Sequence, residues 1–221
     1  MIRDALLVAG KDLRLEARSR VTTNLVAPFA VMVLLLFAFA LDDADVLVSA
    51  TPGLFWITVL FAALLAIQRA FSIESADGTG DALRLSGLDP AGVFLGKAGA
   101  VVVQLLALEV LLGIGVALLY GASLGGPVLL VATALAATVG VAAAGSLYGV
   151  LAAGLRIGAT LLPLLLLPVV APVLIAATQA FIAAAQGVPG EGWRWFGLLA
   201  VFALIYITFG IFAFESLLEE S

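Results

Sequence analysis

Glu109 is the residue in this 221-residue chain whose type and setting most clearly invite chemistry. It is a carboxylate in the middle of a long apolar run, with Gln104 five residues before it. An ionisable group at membrane depth is costly, so by default it marks a proton, ion or substrate site. The same side chain could instead pair with a polar neighbour such as Gln179, face a wet cavity, or clamp two helices together. Residue type alone leaves the functional role and the clamp both open.

Other chemistries lose their parts list. The chain has no His and no Cys, which removes a disulfide framework, the usual zinc sites and a Cys/His pair. No H-E-x-x-H motif or Ser/His pair can form. A net charge of −5 argues against a general affinity for nucleic acid. Gly92-Val-Phe-Leu-Gly96-Lys97 looks briefly like a phosphate loop. It is one residue short, Ala98 stands where Ser or Thr would hold magnesium, and no strand precedes it. The expectation is a non-catalytic chain that hydrolyses no nucleotide by itself and binds neither metal nor cofactor directly.

The elements that must position Glu109 follow from composition. Hydrophobic residues make up 64% of the chain and charged ones 11%; soluble domains carry roughly 45–50% and 25%. Lipid is the solvent that accepts so much apolar surface, and long runs without alternation read as spanning helices rather than barrel strands. Six apolar stretches fall near 24–41, 53–73, 98–120, 128–153, 159–185 and 195–214. The fold class expected is an all-α integral membrane bundle of six transmembrane helices, forming one domain over 1–221. Residues 1–20 precede the bundle with Ile2, Ala5, Leu6, Ala9 and Leu13 at helical spacing among charged residues, the pattern of an amphipathic interfacial helix.

Charge sets the orientation. With the N-terminus inside, the inner segments hold Arg3, Lys11, Arg14, Arg18, Arg20, Arg69, Arg84, Lys97 and Arg156, against Arg194 outside. The positive-inside rule then places both ends, including the tail 215–221, in the cytoplasm. Trp193 and Trp195 suit the headgroup layer. No signal peptide is expected, because charges stud residues 1–20. No internal repeat of the kind many secondary transporters carry is visible.

Three further segments invite a mechanical reading. In the inner connector 74–97, Asp77-Gly78 signals a turn. Asp81 to Leu88 can form a short helix with Leu83, Leu85 and Leu88 partly apolar around Arg84, ended by Asp89-Pro90. Such a helix either docks into a partner's groove or merely connects. Pro163, Pro168 and Pro172 lie in the fifth span, where each deletes a backbone hydrogen bond, giving either a flexible joint or a static bend. Gly145-Ser-Leu-Tyr-Gly149 in the fourth span offers small residues for close helix packing within the bundle.

These residues, taken in order, resemble a known family. Pro52-Gly-Leu-Phe-Trp56 and Gln68-Arg-Ala-Phe71 bound the second span. Asp77-Gly78, Leu83, Leu85 and Ala91 to Lys97 follow, then Leu165-Leu-Leu-Pro168-Val-Val-Ala-Pro172 running on to Thr178. The chain resembles the CcmB family, the membrane permease component of the cytochrome c maturation haem exporter, over almost its whole length. The resemblance implies an ABC-2-like permease in the bacterial inner membrane. It implies a CcmA-like ATPase that supplies ATP hydrolysis, CcmC- and CcmD-like membrane proteins, and a CcmE-like haem chaperone. Haem is then the handled species, either exported or released with its chaperone, and residues 74–90 with the N-terminal helix meet the ATPase. Haem iron is usually held by His, Met, Cys or Tyr. This chain offers only Met1, Met32, Tyr120, Tyr148 and Tyr206, so axial ligation by it is not expected.

Two other functions share parts of this pattern. Another ABC-2-type exporter, for a drug, lipid or glycan, would carry the same six spans and docking loop. An ion-coupled secondary transporter would use Glu109 as its proton site.

Overall fold

The computed structural model describes residues 1–76, 87–121, 125–153 and 158–220. Its helices are α1 (Ile2–Ser19), α2 (Val21–Ala40), α3 (Ala44–Ala76), α4 (Pro90–Leu119), α5 (Pro127–Ala153), α6 (Gly158–Ala185) and α7 (Pro189–Glu220). Among the described residues every regular element is helical, as backbone groups in lipid require.

Among the described residues, five helices are long and apolar enough to cross a membrane: Ala44–Phe71, Pro90–Leu119, Pro127–Ala152, Leu161–Ala185 and Pro189–Leu217. The apolar part of α2, Asn24–Ala40, is shorter. Its 17 residues reach about 26 Å at 1.5 Å each, just under a core of about 30 Å. The six expected spans are therefore five of full length and one short helix.

Helix starts differ most from the sequence expectation, and prolines and two aspartates explain the difference. Asp89 has an extended backbone and caps α4, with Pro90 as its first residue. Proline suits that position because its missing N–H would be unpaired there anyway. Asp89-Pro90 thus opens a helix, and α4 begins eight residues earlier than the expected 98. Pro127 and Pro189 open α5 and α7 in the same way, so α7 starts before Trp193 rather than at 195. Asp43 accepts the backbone N–H groups of Asp45 (2.9 Å) and Val46 (3.3 Å). It caps α3, which consequently begins at Ala44 and carries Pro52 inside it rather than at its entrance.

α5 lies at the centre, touching α3, α4, α6 and α7. Its run from Val141 to Leu147 is buried throughout. A side chain at Gly145 would collide with Ile67, and one at Gly149 with Phe71, both on α3. The small residues of this helix do serve packing inside the bundle. Lipid offers apolar groups no contrast, so close backbone approach of this kind supplies much of the association. The outer faces are apolar, with Ile114 and Leu118 of α4 and Leu204, Phe209 and Phe212 of α7 exposed. That inverts the soluble pattern and leaves oily side chains for lipid.

α6 is continuous from Gly158 to Ala185 with Pro163, Pro168 and Pro172 inside it. Pro168 and Pro172 are exposed and Pro163 is half-buried. The helix tolerates them without a break between them.

Candidate functional site

Glu109 sits on α4 facing α5, 6% exposed. Thr138 of α5, wholly buried, donates its hydroxyl to Oε1 of Glu109. The other carboxyl oxygen, Oε2, is buried with no hydrogen-bond partner among the described residues. The partner is therefore a threonine that sequence reasoning missed. Gln179 of α6 has an exposed side chain, and Gln104 is half-buried. Five residues along a helix turn the side chain by about 140°, so Gln104 and Glu109 occupy different faces. The signal that could have found Thr138 is a hydroxyl buried in an Ala-rich span, where few polar groups compete for a carboxylate.

Glu109 lines a cavity of about 870 Å³ between α3, α4, α5 and α6. Phe55, Val110, Leu130 and Phe181 are among its apolar walls, while Asp45, Ser49 and Gln186 lie toward the end where α3 and α5 begin and α6 finishes. Phe55 and Phe181 face each other with ring centroids 5.3 Å apart, and Trp56 packs on Phe181 at 5.2 Å. The Trp56 indole N–H is buried without a partner among the described residues. The arrangement can hold an apolar body with one polar group against Glu109. It has no nucleophile–base pair, and no acidic, His or Cys cluster fit for a metal occurs among the described residues.

At the opposite end lies a junction of α1 with α4. Gly92 and Gly96, four residues apart, line up under α1. A Cβ on Gly92 would come within 2.8 Å of the Met1 carbonyl and 2.9 Å of Asp4 Cβ. One on Gly96 would come within 2.7 Å of the Ala5 carbonyl and of Val8 Cβ. The segment that mimics a phosphate loop is thus a helical seat for a second helix. Val8, missed in the sequence pattern, is the buried anchor at 3% exposure, whereas Ile2 and Leu6 of the expected apolar stripe remain exposed. Arg3, Arg14 and Arg18 are exposed beside them.

The Met1 amine reaches Asp4 Oδ2 at 3.1 Å and Asp89 Oδ2 at 3.2 Å. Its hydrogen bond to Asp4, then the one to Asp89, pushes the amine above its ordinary value, and the same amine draws Asp4 below the usual carboxylate range. The start of α1 and the end of the inner connector therefore meet. Leu88 packs half-buried against the core, and Gly87 turns the chain with φ 67°. Asp77, Gly78, Asp81, Leu83, Arg84 and Leu85 lie outside the described residues. Lys97, the residue after Gly96, is buried with its ammonium 4.7 Å from the centre of the Phe71 ring.

Comparison with known proteins agrees with this architecture. A protein of Pseudomonas aeruginosa called heme exporter protein B is 30% identical over 217 residues, covering 95% of this chain and 94% of its own. Its namesake in Paracoccus denitrificans is 32% identical over 191 residues, 83% of this chain and 84% of its own. A third, from Haemophilus influenzae, is 31% identical over 179 residues, 74% of this chain and 75% of its own. Residues 3–221 match the family model described as CcmB protein. A match from α1 to the final residue, on a bundle of apolar helices with no catalytic constellation among its described residues, makes this chain a member of the CcmB family of membrane permease subunits.

Proposed function

We propose that this chain is the membrane subunit of an ABC complex that exports haem for cytochrome c maturation. The observation that carries the reading is the family match over residues 3–221, joined by relatives named for haem export that align along most of the chain. The chain is a relay rather than a catalyst. A CcmA-like ATPase burns ATP on the cytoplasmic side, CcmC- and CcmD-like proteins sit beside this chain in the membrane, and a CcmE-like chaperone accepts haem. The bacterial inner membrane holds the complex, with both chain ends in the cytoplasm. The Lys and Arg residues gathered toward the α1 end support that orientation.

The coupling surface is α1 together with residues 77–90. Contact between Met1 and Asp89 supports it, because a force on either segment is felt by both. Haem meets apolar walls rather than iron ligands, since the chain contains no His or Cys. Affinity purification of the tagged chain from native membranes, followed by partner identification, tests the reading. Recovery of an ATPase with CcmC- and CcmE-like proteins is expected. A chain that restores cytochrome c maturation with no ATPase attached would overturn it.

A further inference from the structure

We propose that the cavity beneath Glu109 is a binding site for a cationic amphiphile, whose ammonium head pairs with the Glu109 carboxyl group once the side chain turns Oε2 into the cavity and whose apolar tail lies along Phe55, Val110, Leu130 and Phe181. Three observations carry this. Glu109 is 6% exposed, lines the cavity, and has Oε1 held by Thr138 while Oε2 lacks a partner among the described residues. A buried carboxyl oxygen left unpaired is costly, so a donor entering the cavity is bound to gain. The described lining holds two carboxyl groups, Glu109 and Asp45, and no Lys or Arg. That lining offers an anionic head no counter-charge, whereas a cationic head supplies the one that the buried Glu109 carboxyl group lacks. The volume, about 870 Å³, falls within the roughly 300–1,000 Å³ of ligand sites, and the walls are mostly apolar as such sites require.

Trp56 supplies the reporter, because its ring touches both Phe55 and Phe181 on the cavity wall. The full chain with Trp193→Phe and Trp195→Phe would be placed in phosphatidylcholine nanodiscs and titrated with bromododecylamine or bromododecanoate. Saturable quenching of Trp56 by the amine is expected, with the carboxylate probe about tenfold or more weaker, the ratio a charge-assisted hydrogen bond gives. Glu109→Gln should weaken the amine by a similar factor. Gly113→Leu gives an independent arm, since Gly113 lines the cavity and a Cβ there meets nothing within 4 Å. It fills the space beside Glu109 while leaving the carboxylate in place, and saturable quenching should vanish. Equal quenching by both probes, or quenching unchanged by Gly113→Leu, would overturn the proposal. A tail-brominated phosphatidylethanolamine in the same discs separates the sources: if it quenches, the ligand is a bilayer lipid, and if the single-chain amine alone does, it is a free amphiphile.

Discussion

The hydroxyl of Tyr120, just past the end of α4, donates to the backbone carbonyl of Leu34 in α2 at 2.8 Å. Both residues are buried, at 5% and 1% exposure. The bond pins the one apolar helix that is short for a bilayer to a helix that crosses it fully. Tyr120→Phe keeps the ring and deletes the bond. It should cost about 0.5–1.5 kcal/mol, read as a lower thermal midpoint in detergent. An unchanged midpoint would show that α2 is held by packing alone.

Thr138→Val removes the hydroxyl that satisfies Glu109 while keeping the shape of the side chain. A buried polar group left unsatisfied costs about 1–3 kcal/mol. Thr138→Ser should restore most of the loss. Thermal unfolding of the three proteins side by side checks this, and equal midpoints for valine and serine would dismiss the bond.

Gly96→Leu should lift α1 from its seat, because even a Cβ would sit 2.7 Å from Ala5 and Val8 atoms. The chain has no native cysteine, so Val8→Cys offers a clean reporter of docking. The thiol should resist maleimide in the parent and react at least several-fold faster with Gly96→Leu added. Cytochrome c maturation should fall in the Gly96→Leu protein if α1 helps to meet the ATPase.

The junction at Met1 has a defined pH window. The amine is pushed above its ordinary 8.0 by hydrogen bonds to Asp4 and Asp89, so its stabilising contribution is complete below about pH 8 and fades as pH rises through the raised value. Asp4 is drawn below 3.8, so its contribution holds above that pH and fades as pH falls through the lowered value. Asp89→Asn should bring the amine back toward its ordinary range. Titration of a nitrogen-labelled Met1 amine by NMR reads this directly; identical curves for the two proteins would mean that Asp89 does not hold the amine.

Helices were more legible in the sequence than their beginnings. Long apolar runs announce a span wherever it sits, but a proline carries two meanings. At Pro163, Pro168 and Pro172 it lies inside a helix, while at Pro90 and Pro189 it is the first residue of one. At Pro90 the residue before it tells them apart, because Asp89 is a capping type, whereas Val188 before Pro189 carries no such signal. Glu109 stood out because a carboxylate in an oily run is conspicuous. Thr138 did not, because its role depends on which faces of α4 and α5 meet, a tertiary fact. Gly92 and Gly96 were visible as a pair, yet what they admit, helix α1, is more than eighty residues away along the chain.

The seating of α1 on Gly92 and Gly96 gives the membrane subunit a lever. Thirty residues of α4 make a rod of about 45 Å, with the α1 seat near one end and Glu109 two-thirds of the way along. If the rod pivots at its far tip, a tilt of about 5° sweeps the seated end through about 4 Å, and the carboxylate travels less than half that distance. A large stroke at the α1 end would then arrive at the cavity as a short one, small enough to loosen a ligand's grip without tearing the bundle apart.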